Sequence, residues 1–302
     1  METTFLTEEQ IWGDGRGKGQ LQVMKDYGTK TGMSDLAIAL GGFMGSDETS
    51  DGQRTGFVWS ASSDGDGYVR AVDIHGGRDY YGPNGRIDGA RPALPSSIAS
   101  SIKPSEARLT RKISGVQVVE YGEYPQTIAA DAVNRELEQA FSRGKLQTTG
   151  KTYTFDGEKY DAYSKPFNAK KHDEYQHNGK RYIRVEAQPR DGDSVLSTGH
   201  KPQAGEACWI EVQPIEWLKD PSGMMVARQA LFAGVQFDKK QRYDGNFENT
   251  DMKQYLQNYF AKEMQTGRNV SVPDAIGPNT AAITSRREAQ RQRALDDPSQ
   301  GL

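Results

Sequence analysis

Between positions 62 and 88 the sequence SSDGDGYVRAVDIHGGRDYYGPNGRID sets Asp64, Asp66, His75, Arg78, Asp79, Tyr80, Tyr81 and Asn84 on turns broken by glycine. Carboxylates, an imidazole, a guanidinium, phenols and an amide together offer adaptable hydrogen bonds and aromatic contact area. Loops touch partners with this mixture. No motif in the stretch commits it to a reaction, so these eight residues are expected to bind a ligand without transforming it.

Other chemistries fail on residue type or spacing. Asp64 and Asp66 are oxygen-rich and glycine-loosened like a calcium loop, but they lack the Asp-x-Asp-x-Asp-Gly frame and the distal bidentate Glu of an EF-hand. A plain turn is expected, with calcium as the alternative. Cys208 is the single cysteine, which forbids an internal disulfide and a Cys-rich metal cluster built from one chain. Embedded in the apolar run CWIEV, it is expected to be a small core residue. Of the four histidines, His172 and His177 lie in a Lys/Asp/Gln-rich stretch and His75 and His200 stand alone, so surface positions and no metal site are expected. The run GDGRGKGQ at 13–20 lacks the spacing of a phosphate loop, and no G-x-S-x-G occurs. No catalytic group and no cofactor are expected.

The elements that must hold the loops are short. Runs at 57–60 and 68–74 read as strands of a meander closed by Arg91-Pro92-Ala93-Leu94. A strand is predicted over 116–126, then an amphipathic helix over 128–141 from Val133, Leu137 and Phe141, stopped by Gly144. Asp156-Gly157 and Asn178-Gly179 signal hairpins, and a third is expected through Pro221-Ser222-Gly223. A last helix enters through Asn249, Thr250 and Asp251 and buries Met252, Leu256, Tyr259, Phe260 and Met264. A short helix is predicted over 19–27. Trp59, Trp209, Trp217, Tyr121 and Tyr124 fall on predicted strands and are assigned to the core, while Trp12 is expected to be exposed.

With 302 residues, 33 glycines and only 35% apolar content, the chain reads as a loop-rich α+β globule. Its organisation is read as 1–95, a surface connector 96–115, a second part 116–266, and a polar tail 267–302. Arg286, Arg287, Arg291 and Arg293 in the tail are offset by Glu288, Asp296 and Asp297, which predicts a solvated helix and no RNA arm. A formal charge of −3 gives no argument for a nucleic-acid partner. METTFLTEEQIWG lacks the pattern of a signal peptide and no run is long enough to cross a bilayer, so a soluble cytoplasmic protein without membrane insertion is expected. A phage particle or surface complex is the alternative location.

Three phrases occur together: YGEYPQ at 121–126, PIEWL at 214–218 and GARPALP at 89–95. They resemble an uncharacterised family of bacterial domains, common in gut bacteria, related in pattern to the C-type lectin-like fold shared with formylglycine-generating enzymes. The resemblance extends to Tyr255-Leu256-Gln257-Asn258 and to the strand Val58-Trp59-Ser60. It implies a C-type lectin-like fold of mostly short antiparallel strands with two main helices. The order departs from that pattern, with the closing half at 1–95 first and the opening half at 116–266 second, so either the module is permuted or the chain joins the end of one module to the start of another. One permuted module is expected, with a domain-swapped oligomer as the alternative.

In that fold the implied role is non-enzymatic recognition of a protein or glycan through the 62–88 loops, the patch that retroelement-diversified relatives vary. The alternatives are a divergent enzyme of the formylglycine-generating type, whose cysteine pair this chain lacks, and a structural protein of a phage or surface complex. Arg91 is expected to be structural, paired with a carboxylate.

Overall fold

The computed structural model describes residues 32–48, 52–63, 65–75, 77–85, 88–103, 106–113, 116–158, 166–190, 192, 194–219 and 223–264 of the chain. The predicted helix at 19–27, Trp12, the run at 13–20, Asp64 and the tail 267–302 lie outside them. The first part contains β1 (Gly32–Met33), α1 (Asp35–Ala39), β2 (Met44–Glu48), β3 (Arg54–Gly56), β4 (Val58–Ser63), β5 (Val69–Val72), β6 (Arg78–Tyr81), β7 (Ala93–Leu94), α2 (Ser96–Ser101) and β8 (Arg108–Ile113). The second contains β9 (Val116–Ile128), α3 (Asp131–Ser142), β10 (Gln147–Asp156), β11 (Ala169–His177), β12 (Lys180–Glu186), β13 (Ala207–Lys219), β14 (Met225–Ala227) and β15 (Gln229–Ala230). A 3-10 turn (Phe247–Asn249), α4 (Asp251–Tyr255), a π segment (Leu256–Phe260) and α5 (Ala261–Glu263) follow. The architecture is mixed α+β, with mostly antiparallel strands and few helices.

Strand β13 is the spine of the largest sheet. One of its edges pairs with β9 along most of its length, and β9 pairs in turn with β8. The other edge pairs with β12 over 207–211 and with β14 over 217–219. Cys208, Trp209 and Ile210 are buried in succession because this end of the sheet is covered on both faces. Cys208 and Ile210 join the main core, whereas Trp209 packs with Leu137 of α3, Tyr182 and Ala129 on the opposite side. Asn134 latches α3 down: its Oδ1 accepts from Trp209 N–H at 2.8 Å, while its Nδ2 donates to the Ala207 carbonyl at 3.3 Å.

The two sequence halves share one core. Met225 and Val226 of β14 pair with Leu94 and Ala93 of β7, and β15 runs parallel to β1 in a second, four-stranded sheet. Trp59 lies 5.5 Å from Phe237, which also meets Tyr243 and Phe247. Arg91, 4% exposed, donates from Nε to the Ala227 carbonyl at 2.6 Å.

Several local expectations need revision. The 96–115 segment is more than a surface connector: it holds α2 and the edge strand β8, whose Arg108 and Arg111 pair with Glu120 and Glu216 of the strands beside it. Asp156-Gly157 closes no tight hairpin, since the partner of β10 begins at Ala169. Asp156 instead accepts from the Glu158 and Asn168 N–H groups at 3.0 and 3.1 Å and holds the base of a longer loop. Asn178 and Gly179, at φ of 48° and 77°, do form the two-residue turn between β11 and β12. Thr250 caps α4 by accepting from Lys253 N–H, and the π segment widens the turn so that Tyr255, Leu256 and Phe260 are all buried.

Candidate functional site

Strands β4, β5 and β6 form a separate three-stranded antiparallel sheet, in that order. Between β5 and β6 the register pairs Val69 with Tyr81, Arg70 with Tyr80, Ala71 with Asp79 and Val72 with Arg78. Directly opposed residues share a face. Val69 and Ala71 are buried, so Asp79 and Tyr81 look inward and Tyr80 looks out beside Arg70. Tyr81 is half-buried and its neighbour Tyr80 exposed. A period of two allows only one of two neighbours on each face.

The inner face forms a polar cluster over aromatic support. Tyr81 meets Phe57 edge-on at 5.3 Å, Phe57 lies 4.9 Å from Phe43, and the Arg190 guanidinium stands 4.0 Å over the Phe43 ring. Asp79 accepts twice, from the Tyr81 hydroxyl at 2.7 Å and from Tyr80 N–H at 2.8 Å. Asp88 is 0% exposed and neither of its carboxyl oxygens has a hydrogen-bond partner. Burial pushes its carboxyl up to about 8, with the Arg190 charge opposing and the Asp79 charge reinforcing the rise. Burial also raises the Tyr81 phenol, and the bond to Asp79 raises it further. Around neutral pH Asp88 is therefore largely a neutral acid.

The outer face carries the exposed aromatic area. Tyr80 is 57% and Tyr68 44% exposed, with ring centroids 5.7 Å apart. Asp73, in the turn between β5 and β6, accepts from His75 N–H at 2.8 Å and Gly77 N–H at 2.6 Å, which holds His75 out on an ordered bend. Asp66 is exposed and Asn84 half-buried near Gly82. Arg78 is placed by its strand register, and Asp64 lies outside the described residues. The structure thus divides the eight sequence candidates: Tyr80, Asp66 and His75 are exposed, while Asp79 and Tyr81 belong to the inner cluster.

Residues outside the 62–88 stretch complete the surface. The 238–246 segment is bonded to the meander through Tyr243 N–H to the Gly67 carbonyl at 2.7 Å, Asp238 N–H to the Pro83 carbonyl at 2.8 Å, and the Tyr243 hydroxyl to the Ala61 carbonyl at 3.2 Å. It carries the exposed Lys239, Lys240 and Arg242, and the Arg242 stem lies against Gly67. Its composition, DKKQRYDGN, carried the signal of a contact loop; its position beside Tyr68 is a tertiary fact. Asp88, Arg190 and Phe43 left no comparable sign in the sequence.

The remaining candidates for chemistry are structural. Burial pushes the Cys208 thiol up to about 12, far from the thiolate a nucleophile needs. His172, expected at the surface, sits on β11 with Nδ1 2.8 Å from the Arg184 carbonyl, and burial lowers its basicity. His177 and His200 pair with Glu136 at 3.1 Å and Glu206 at 2.7 Å. Among the described residues no three His, Cys, Asp or Glu side chains converge as a metal site, and no helix is long and apolar enough to cross a membrane. Comparisons of the chain with protein-family models, with curated proteins and with solved structures find no match.

Proposed function

We propose that this protein is a non-enzymatic recognition module, a permuted C-type lectin-like domain that binds a protein or glycan ligand on its meander. The observation that carries this is the outward pair Tyr68 and Tyr80, 44% and 57% exposed on a sheet whose inner face is anchored to the main core. Exposed rings on a rigid base lose little conformational freedom on binding, and the turns beside them supply polar contacts. Asp66, His75 and Asn84 are further polar residues of the same meander's turns, and Asp79 and Tyr81 act from behind by fixing strand β6. Retroelement diversification of the patch, a cytoplasmic, phage-particle or surface-complex location, and a swapped oligomer are compatible with this reading.

The cluster of Asp79, Tyr81, Asp88 and Arg190 favours a second reading, a divergent enzyme of the formylglycine-generating type, because a neutral acid beside a second carboxyl group is one pattern of acid–base catalysis. Against it, Asp88 is 0% exposed and out of a substrate's reach. A glycan and protein array, probed with and without calcium, tests the recognition reading. Hits that weaken by about tenfold in Tyr80→Ala at unchanged melting temperature support it. Hits indifferent to that substitution, or turnover of any arrayed compound, would remove it.

A further inference from the structure

A cation stands beside the aromatic pair. Gly67 has φ of +95°, and a Cβ built there would stand 3.0 Å from Cβ and 3.1 Å from Cγ of Arg242. The aliphatic stem of Arg242 therefore lies across the residue preceding Tyr68, at a backbone φ that favours glycine. Arg242 and Lys239 are exposed, and among the described residues neither charged group has a hydrogen bond or ion pair, whereas Lys240 is held 3.6 Å from Asp238 and 4.0 Å from Asp244. Arg70 stands opposite Tyr80 on the same face. Asp66 and Asp244 are the exposed carboxylates of these two segments, and Asp244 stands 4.0 Å from Lys240.

Resting on the recognition reading above, we propose that the Tyr68–Tyr80 face binds an anionic carbohydrate, a chain of uronic-acid sugars. One pyranose ring stacks on the tyrosines and its carboxylate meets Arg242. The negative face of an aromatic ring attracts the weakly positive C–H groups of a sugar ring. A guanidinium holds a carboxylate through two parallel hydrogen bonds. The apolar area is two rings fringed by charge, well short of the roughly 800 Å² per partner that a stable protein interface covers, and it suits a sugar better.

The test uses the full chain with fragments of polygalacturonate, alginate and hyaluronan, each as the free acid and as its neutral methyl ester, measured by titration calorimetry. The acid form of at least one polymer is expected to bind about tenfold tighter than its ester, with the preference shrinking as salt is raised. Arg242→Gln is expected to abolish the preference for acid over ester while leaving ester binding in place. Tyr80→Ala is expected to weaken both forms by about tenfold. Equal binding of acid and ester, lost in Tyr80→Ala, would overturn the anionic specificity and leave the recognition reading standing. Binding of poly-glutamate with no sugar bound would overturn it in favour of an acidic protein partner. No binding of any of these probes would overturn the carbohydrate inference, while the array above still judges the recognition reading.

Discussion

Asp88 offers the most direct test of how the inner cluster is held. In an unfolded chain its carboxyl ionises near 3.8, and in the fold it is pushed up to about 8 by complete burial. Between those values the native protein keeps a proton that the unfolded chain has released. Stability is therefore full below the lower value, falls as the pH rises between the two, and levels off above the upper one. Each pH unit crossed is worth ~1.4 kcal/mol, so the whole span amounts to ~6 kcal/mol as a ceiling. Relaxation and entry of water relieve part of such a penalty, and about half, ~3 kcal/mol, is the expected measured effect.

Asp88→Asn keeps the shape and removes the titration. Its amide lies in the same dry site without partners, which costs about 1–3 kcal/mol at every pH. Plotted as variant minus wild type, urea-derived stability should rise by ~3 kcal/mol from acid to alkaline pH, whatever its vertical offset. Titrating groups remote from Asp88 cancel in that difference. The buried Trp59, Trp209 and Trp217 supply the fluorescence signal. A difference flat to within ~0.5 kcal/mol across the range would refute the claim that Asp88 is buried as a neutral acid.

The two neighbouring tyrosines should behave oppositely: Tyr81→Ala is expected to cost about 3 kcal/mol by emptying its place against Phe57, whereas Tyr80→Ala stays within about 0.5 kcal/mol, as read by denaturant melts. Equal costs would contradict the strand register. A fragment of residues 116–264 should show no cooperative melting transition, because β14 and β15 would lack their partners β7 and β1; a sharp transition would mean that the second half is a domain by itself. Arg91→Ala is expected to cost about 2 kcal/mol by freeing the buried Ala227 carbonyl, and a measured loss below ~0.5 kcal/mol would show that the bond is not needed at the junction of β7 and β14.

What could be read in advance were features whose cause is local. Asn178-Gly179 announces its turn because few residues accept positive φ, Val133, Leu137 and Phe141 mark one side of α3, and Thr250 caps α4 with its own side chain. Where partners distant in sequence decide the outcome, the signal vanished. Strand β8, with Arg108, Arg111 and Lys112, has the composition of a loop and becomes a strand only because β9 offers an edge and acidic partners.

The same holds for β11. Its Lys, Asp and Glu residues suggest a solvated loop, yet Glu174 is fully buried, accepting from the Tyr153 hydroxyl at 2.9 Å and the Thr149 hydroxyl at 2.8 Å. A carboxylate so placed is stable only with donors already waiting, and those come from β10 across the sheet. The candidate site divides in this way too. Its residue types were visible in the 62–88 stretch, but which tyrosine faces outward was fixed by the register of β6 against Val69, Arg70 and Ala71. The cation beside that face arrived from Arg242, brought there by backbone bonds from Tyr243 to Gly67 and from Asp238 to Pro83. Contact chemistry is a matter of composition, whereas the side on which it is displayed is a matter of register.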